Sequence, residues 1–230
     1  MSVGHLFHRY RCKSYVRSKS CQTVVKRIQS WFPTQIYCAP LLTTGGDKLN
    51  RELLLECQQV REFDEEGQRW SSKNYPGGYT SYGSMDQLHR FSSTFMELNR
   101  QLDRHVRAYA KAQDWDLGGR RLEMTDCWVN IMPFATVHSL HLHPNSVVSG
   151  TYYVATPKGC AGLKFEDPRL ASFMAAPPRL AERRPSNQVF VTYPASAGHV
   201  ILFESWLRHE VAANPVKAER ISLSFNYHWA

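Results

Sequence analysis

The sequence predicts an α+β fold in which helices come first and a β-sandwich or barrel follows. Two patterns indicate this fold. Apolar residues recur at helical spacing between residues 47 and 112, and nearly every apolar run after Arg121 is short and β-like. Separate helical and strand regions are typical of α+β domains. The 230 residues are 43% hydrophobic and 21% charged, which predicts one globular domain with a sizeable core over residues 28–230.

The first predicted elements are a β-type run and a helix. From Ile28 the run IQSWFPTQIYCAPLL is apolar and β-leaning, and Gly45 and Gly46 then favour a turn. From Asp47 onward, apolar residues at three-to-four spacing predict the first helix. The polar loop over residues 74–79 is interpreted as a plain surface connection, with a flap over a site as the alternative.

The strongest helix is predicted over residues 86–112. Its apolar residues step by four or three positions and form one stripe, which is typical of a helix that packs on a core. The stripe consists of Phe91, Phe95, Leu98, Leu102, Val106 and Tyr109.

Six short runs predict the strands of the second half. They are LEMTDCWVNIM, SVVSGTYYVA, GLKF, QVFVTY, HVILFES and RISLSFNYHW. In the last run one face carries Ile221, Leu223, Phe225 and Tyr227, and the other carries Arg220, Ser222, Ser224, Asn226 and His228. If the apolar face packs on helices, the polar face lines something polar. An inward-facing arginine is costly unless it meets an anion, and its planar fork fits a carboxylate.

The positive charge is concentrated at the start of the chain. The net charge is +8, and residues 1–27 hold seven Lys and Arg residues with no acidic residue. The rest of the chain is nearly neutral, so it offers no basic surface for nucleic acid. We predict that residues 1–27 form a basic, disordered tail. An organellar transit peptide and an over-long start are the alternatives.

The cysteines and the hydropathy pattern favour a cytoplasmic protein. The six cysteines are scattered without a CxxC pair, so neither metal knuckles nor a disulfide framework is expected. The sequence has no run of about eighteen apolar residues and no apolar secretion segment, so no membrane span is predicted. The pattern gives no indication of oligomeric state.

Three histidines are the candidate metal ligands. His141 and His143 alternate around Leu142, so on a strand both imidazoles leave the same face. His209, in FESWLRHEV, is the best candidate for the third ligand. A three-ligand site with open positions suits Fe(II) oxygen chemistry, and it also suits catalytic zinc. The remaining candidates, His138 and His228, are interpreted as bystanders.

A family resemblance covers residues 128–228. The motifs WVNIMP, HLHPNSVVSGTYYV, GLKFEDPR, HVILFESWLRHEV and ERISLSFNYHW follow in order. They resemble the 2-oxoglutarate/Fe(II)-dependent oxygenases, in a branch of bacterial and phage proteins with an HxHP motif. The resemblance implies a double-stranded β-helix, which is a jelly-roll or cupin-like core, with the N-terminal helices packed on one sheet.

The resemblance also implies roles for four residues. His141 corresponds to the first metal ligand and His209 to the distal one. Arg220 and Ser222 correspond to an Arg-x-Ser clamp on the far carboxylate of 2-oxoglutarate. The eleven positions from His209 to Arg220 fit the family's spacing.

One position departs from the family pattern. His143 stands where the family usually has a carboxylate, and an all-histidine triad makes the site more positive by one charge. Glu166 or Asp167 could instead supply an oxygen ligand, although the family has no ligand on that segment. Asn130 and Tyr152 are candidates for hydrogen bonds to the cosubstrate, and Tyr152 has a core residue as its alternative role.

The implied activity is that of an Fe(II)- and 2-oxoglutarate-dependent dioxygenase. Such an enzyme uses O2 to oxidise a substrate, usually by hydroxylation, and releases succinate and CO2. The substrate, a small molecule or a macromolecule, is not identified by the sequence. The alternatives are a cupin-like three-His dioxygenase or zinc enzyme without 2-oxoglutarate, a jelly-roll binding module, and nucleic-acid binding through the tail. Arg220 and Ser222 argue against the first of these.

Overall fold

The computed structural model describes residues 28–169 and 174–230. Contacts divide the chain into two units, Met1–Thr34 and Gln35–Ala230. The second unit holds every helix and strand of the described residues. The predicted tail over residues 1–27 lies outside the described residues. The domain start near Ile28 stays a prediction.

Three α-helices precede most of the strands in the described chain. They are α1 (Gly46–Phe63), α2 (Glu65–Asn74) and α3 (Ser93–Ala112). Asp64 caps α2, because its carboxylate accepts a hydrogen bond from the backbone N–H of Gly67 at 2.9 Å. None of the described helices has the length and hydropathy needed to cross a membrane.

The helix predicted over residues 86–112 is shorter than expected. Ser92 accepts a hydrogen bond from the backbone N–H of Phe95 at 3.2 Å, and this N-cap starts α3 at Ser93. Leu88–Arg90 forms a separate 3-10 turn. Phe91 therefore lies outside the helix and is 60% exposed, whereas the other five residues of the predicted stripe are buried.

Ten described strands form two antiparallel sheets. They are β1 (Tyr37–Pro40), β2 (Tyr79–Thr80), β3 (Leu122–Met132), β4 (His138–His141), β5 (Val148–Ala155), β6 (Leu163–Glu166), β7 (Phe190–Tyr193), β8 (His199–Glu204), β9 (His209–Val211) and β10 (Arg220–Trp229). The larger sheet has the order β1-β8-β5-β10-β3-β2, and the smaller has the order β4-β9-β6-β7. The crossovers between the sheets are those of a jelly roll, so the predicted double-stranded β-helix is confirmed.

Two apolar layers hold the unit together. The first joins α1 and α3 to the outer face of the larger sheet, where Leu53, Leu102 and Leu223 are fully buried. The second lies between the two sheets and includes Phe165 and Phe203. Since side chains alternate along a strand, each inner strand of the larger sheet supplies one face to each layer.

Strand β10 occupies the centre of the larger sheet, between β5 and β3. Its predicted faces are those observed. The apolar residues, which are Ile221, Leu223, Phe225 and Tyr227, lie in the layer against the helices. The polar residues Arg220, Ser222, Ser224 and Asn226 line cavities on the opposite face. This places the polar side of β10 opposite the strands that carry the histidines.

Candidate metal and cosubstrate site

Two of the candidate ligands are brought together by strand pairing. In the smaller sheet β4 pairs with β9, and His141 lies directly opposite His209. Directly opposed residues on antiparallel strands have adjacent side chains. Their ring centroids are accordingly 4.3 Å apart.

His143 joins this pair from the loop that follows β4. The strand ends at His141, so the expectation that both residues lie on the strand is wrong for His143. The backbone N–H of His143 donates to the carbonyl of Ser205 at 3.0 Å, which fixes the loop. The His143 ring stacks on His141 at 5.2 Å and lies 5.0 Å from His209. Candidate ligand atoms of the three imidazoles all lie within 4.8 Å of one another.

Each imidazole uses its Nδ1 atom for a hydrogen bond within the protein. Nδ1 of His141 lies 2.7 Å from the carbonyl of Ser139, and Nδ1 of His209 lies 2.9 Å from the carbonyl of Leu207. A carbonyl oxygen can only accept, so both Nδ1 atoms carry the proton. The Nε2 atoms of these two rings are therefore unprotonated and can donate a lone pair to a metal.

His143 is oriented by a polar network instead of a carbonyl. Its Nδ1 lies 2.6 Å from Oδ1 of Asn226 and 3.0 Å from Oγ of Ser149. Nδ2 of Asn226 donates to Asp126 at 3.4 Å, which directs the amide oxygen toward His143. His143 is thus linked to the carboxylate of Asp126 through two successive hydrogen bonds, with the Asn226 amide between them.

Burial keeps these histidines neutral. Desolvation lowers the pKa of His143 to about 4 and that of His209 to about 2. It lowers the pKa of His141 as well. A neutral imidazole is the form that binds a metal ion.

Arg220 is a buried cation without an anionic partner among the described residues. Its side chain is 2% exposed, and its Nη1 atom lies 3.2 Å from Oγ of Ser222 and 3.3 Å from Sδ of Met132. Its Nε atom has no hydrogen-bond partner in the part of the chain that the structure describes. The guanidinium carbon lies 5.0 Å from the centroid of the Tyr153 ring. Because an unpaired buried charge is costly, this arrangement fits an anionic ligand.

Asn130 and Ser222 lie in the same narrow inner pocket as Arg220, next to the histidines. Nδ2 of Asn130 donates to Oγ of Ser224 at 3.0 Å, while its buried Oδ1 atom has no hydrogen-bond partner within residues 28–169 and 174–230. The structure thus brings Asn130, Arg220 and Ser222 together with the three imidazoles, as the sequence analysis expected.

Tyr152 does not reach the inner pocket. Side chains alternate on β5, so Tyr152 points to the helix side, where its hydroxyl donates to Oδ1 of Asn50 at 2.9 Å. The expected role of Tyr152 in holding the cosubstrate is therefore wrong, and its alternative as a core residue is confirmed. The neighbouring Tyr153 faces inward and contacts Arg220.

The two carboxylates considered as alternative ligands lie outside the histidine cluster. Glu166 forms an ion pair with Arg208 at 2.8 Å, and Asp167 forms one with Arg169 at 2.7 Å. Neither belongs to the group of described side chains that could hold a metal. His143 is therefore the third donor that the geometry offers.

Sequence reasoning missed several residues of the site. His138, interpreted as a bystander, stacks on His141 at 4.8 Å and lines the inner pocket. Trp128 lies 5.7 Å from His143, and Tyr75 packs on His138 at 5.4 Å. Trp128 shares its strand face with Asn130, so period-two alternation on β3 was the signal that could have found it.

A cleft of about 650 Å³ opens directly above the histidines. Asn74, Tyr75 and Pro76 line it. The loop over residues 74–79, interpreted as a surface connection, therefore forms part of the cleft wall.

The residues present fit an iron ion and 2-oxoglutarate. Three neutral imidazoles with free Nε2 atoms are a donor set for a divalent transition metal and leave coordination positions open. Next to the imidazoles, a buried pocket contains Nε of Arg220, which has no partner among the described residues. A dicarboxylate bound to such a metal could place its second carboxylate against this guanidinium.

Comparisons with known proteins agree with this geometry. Solved structures with the same fold include the alpha-ketoglutarate-dependent epimerase SnoN from nogalamycin biosynthesis (18% identity, 85% of this chain and 76% of that chain, TM-score 0.58). A Pseudomonas putida prolyl-4-hydroxylase matches at 18% identity, with 85% and 92% covered and a TM-score of 0.53. HygX from Streptomyces hygroscopicus, solved with nickel and 2-oxoglutarate, matches at 16% identity, with 85% and 83% covered and a TM-score of 0.53. At these identities the likeness shows a shared fold.

Part of the sequence matches a known family. No curated protein matches the chain, but residues 126–226 match the family described as "Putative 2OG-Fe(II) oxygenase". The matched segment includes the three histidines, Asn130, Arg220 and Ser222. The jelly-roll fold agrees with this match of residues 126–226 to the 2OG-Fe(II) oxygenase family.

Proposed function

We propose that this protein is an Fe(II)- and 2-oxoglutarate-dependent dioxygenase that hydroxylates its substrate and releases succinate and CO2. The observation that carries the proposal is the buried guanidinium of Arg220, which has no anionic partner among the described residues and borders a cluster of three neutral imidazoles. A metal ligand set alone is compatible with many chemistries. The adjoining anion pocket favours a dicarboxylate cosubstrate.

The proposed site has two parts, one that would bind the metal and one that would bind the far carboxylate of the cosubstrate. His141, His143 and His209 would hold Fe(II) through their Nε2 atoms, each ring being oriented by the hydrogen bond at its Nδ1 atom. Arg220 and Ser222 would bind the far carboxylate of 2-oxoglutarate from the facing strand. The bound metal and cosubstrate supply oxidative chemistry with O2, which couples decarboxylation of 2-oxoglutarate to oxidation of the substrate.

The surrounding residues position the reactants and exclude water. Phe165 and Phe203 pack beside His209 and close the floor of the site, with ring centroids 6.1 and 4.6 Å from its own. A dry, rigid floor strengthens the electrostatic contacts made there. The substrate would enter from the opposite side, through the open cleft that reaches the histidines.

The activity is tested by measuring succinate formation from 2-oxoglutarate. We expect succinate to form when the wild-type protein is given Fe(II) and O2, at the slow rate of turnover without substrate, and to disappear when either is omitted. His209→Ala should abolish it. His228→Ala is the matched control, because His228 is exposed and lies outside the site. Equal succinate formation by His209→Ala and the wild type would contradict the proposal.

A three-histidine dioxygenase that does not use 2-oxoglutarate is the second candidate. It is favoured by His143, which stands where a carboxylate is expected. The two candidates differ at Arg220, since the second gives this residue no cosubstrate to bind. If metal-dependent O2 consumption proceeds without 2-oxoglutarate, and Arg220→Met leaves it unchanged, the second candidate holds.

Two further expectations stay predictions. A cytosolic location is supported by the free state of Cys38, Cys57, Cys127 and Cys160, which suits a reducing compartment. The near-neutral charge of the chain beyond residue 27 argues against nucleic acid as a partner.

A further inference from the structure

The cleft above the histidines carries no formal charge on its walls. Although 21% of the chain is charged, none of the described residues that line the cleft is Asp, Glu, Lys or Arg. Its polar groups are neutral amides, hydroxyls and the imidazoles of the metal site. A charged group entering the cleft would lose hydration without meeting a charged side chain on its walls.

One wall of the cleft is a continuous aromatic surface. The Tyr82 ring lies 5.1 Å from the Trp128 ring, and Trp128 lies 5.7 Å from the candidate ligand His143. Trp128 is nearly buried, whereas Tyr82 is 52% exposed and Trp70, also at the rim, is 45% exposed. Aromatic side chains left exposed beside a site are typical of ligand-binding surfaces.

Two aliphatic side chains also line the cleft. Val137 and Leu142 line the cleft and are 47% and 40% exposed. A flat ring in the cleft would stack on the aromatic side chains and cover these apolar ones. The aromatic wall leads from the rim to His143, so such a ring would be guided to the metal site.

We propose that the cleft selects an uncharged substrate that presents a flat, unsaturated ring to the metal site. The inference rests on the proposed function, because it assigns the substrate class of the same site. The ring can belong to a free small molecule or to a side chain of a peptide, since both present the same chemistry to the walls.

The preference for an uncharged ligand is tested with indole, indole-3-acetate and tryptamine, which share a ring and differ in charge. Binding is measured by ligand-observed NMR on the full chain loaded with Zn(II) and 2-oxoglutarate. We expect indole to bind at least about tenfold more tightly than either charged probe. Equal or tighter binding of a charged probe would overturn the proposal.

The preference for a flat, unsaturated ring is tested with phenol and cyclohexanol, which differ little in size. Phenol should bind more tightly, and Tyr82→Ala and Trp70→Ala should each weaken phenol and indole binding severalfold. Trp206→Ala is the matched control, because Trp206 is 47% exposed and does not line the cleft. If the Tyr82 and Trp70 variants behave like the control, the aromatic wall does not bind the ring and the proposal fails.

A designed reversal provides an independent check. Val137→Lys places a cation at the exposed rim, and it should raise the affinity for indole-3-acetate relative to indole by about tenfold. An unchanged ratio of the two affinities would contradict the claim that the lack of wall charge sets the preference for uncharged ligands. Comparing indole with the neutral peptide Ac-Ala-Trp-Ala-NH2 shows whether the ring belongs to a free small molecule or to a peptide side chain. Tighter binding of the peptide indicates a peptide side chain, and tighter binding of indole indicates a free small molecule.

Failure of this inference can be told apart from failure of the proposed function. If succinate forms as expected but a charged probe binds best, the substrate class alone is wrong. If indole binds as expected and no succinate forms, the oxygenase proposal is wrong while the cleft keeps its selectivity.

Discussion

The two faces of strand β10 have the same backbone and opposite chemistry. On the helix side, Leu223 and Phe225 are fully buried among apolar neighbours. On the inner side, Arg220 and Ser222 are almost as deeply buried, yet Nε of the guanidinium has no hydrogen-bond partner among the residues described. The outer face is packed by apolar neighbours, whereas the inner face keeps polar atoms without a partner among the described residues. Burial therefore stabilises the fold on the outer side, and on the inner side it leaves the polar groups to which we assign the binding site.

The largest effect that separates the faces is expected for Phe225→Ala. This ring is 0% exposed, and its loss should lower the free energy of unfolding by about 3–5 kcal/mol, because the packed layer cannot fill the cavity. Denaturant unfolding measures the change. The neighbouring inner-face variant Ser224→Ala should cost much less. Similar losses for both variants would remove the distinction between the faces.

Arg220→Met should weaken ligand binding and leave stability unchanged, the opposite of the effect expected for Phe225→Ala. Removing the cation from the carboxylate pocket should weaken 2-oxoglutarate binding by about 2–5 kcal/mol, or roughly thirtyfold or more. Stability without ligand should not fall, because the arginine is buried without an anionic partner among the described residues. Calorimetry and denaturant unfolding measure the two quantities.

Arg208→Met is the matched control for this prediction. Arg208 pairs with Glu166 at the surface, so 2-oxoglutarate affinity should not change in this variant. A loss of stability in Arg220→Met without a loss of 2-oxoglutarate affinity would show that the guanidinium is structural.

Asn226→Ala tests whether the inner face also orients a ligand. Without the amide that accepts from Nδ1 of His143, affinity for Co(II), a stable substitute for Fe(II), should fall by about 10–100-fold. Asn99→Ala, on α3, should leave the affinity unchanged, because Asn99 contacts Tyr227 on the helix side. If both variants bind Co(II) like the wild type, the hydrogen bond does not orient the ring.

The smallest effect is expected for Tyr152→Phe, on the neighbouring strand β5. It removes the hydrogen bond to Asn50 and should lower the free energy of unfolding by about 0.5–1.5 kcal/mol without changing 2-oxoglutarate affinity. Tyr153→Phe, one residue away on the inner face, removes a hydroxyl that has no hydrogen-bond partner among the described side chains and backbone, and it should cost less. A clear loss of 2-oxoglutarate affinity in Tyr152→Phe would restore this residue to the site.

Local patterns predicted most of the fold. The period-two alternation of β10 gave both of its faces correctly, and helical spacing gave the buried residues of α3. The error at Phe91 arose because a periodic pattern does not reveal where a cap ends the helix, and Ser92 supplies that cap. Tyr152 was misplaced because a buried tyrosine suits either face of a central strand.

The site was predictable where motifs are local and unpredictable where strands meet. The HLH spacing and the eleven positions from His209 to Arg220 are visible in the sequence. The register that sets His141 opposite His209, and the approach of Tyr75 to His138, join residues far apart in the chain. Such contacts depend on how the sheets and loops pack, and a single sequence does not contain that information in local form.

The measurement that tests the central claim most directly is an anaerobic titration of the protein with Fe(II) and 2-oxoglutarate, followed in the visible spectrum. Chelation of 2-oxoglutarate by bound Fe(II) gives a charge-transfer band. We predict this band in the wild type and in His228→Ala, its loss in His209→Ala, and a higher 2-oxoglutarate requirement in Arg220→Met. Absence of the band in the wild type, or its persistence in His209→Ala, would contradict the assignment of the inner face of the jelly roll as the metal and cosubstrate site.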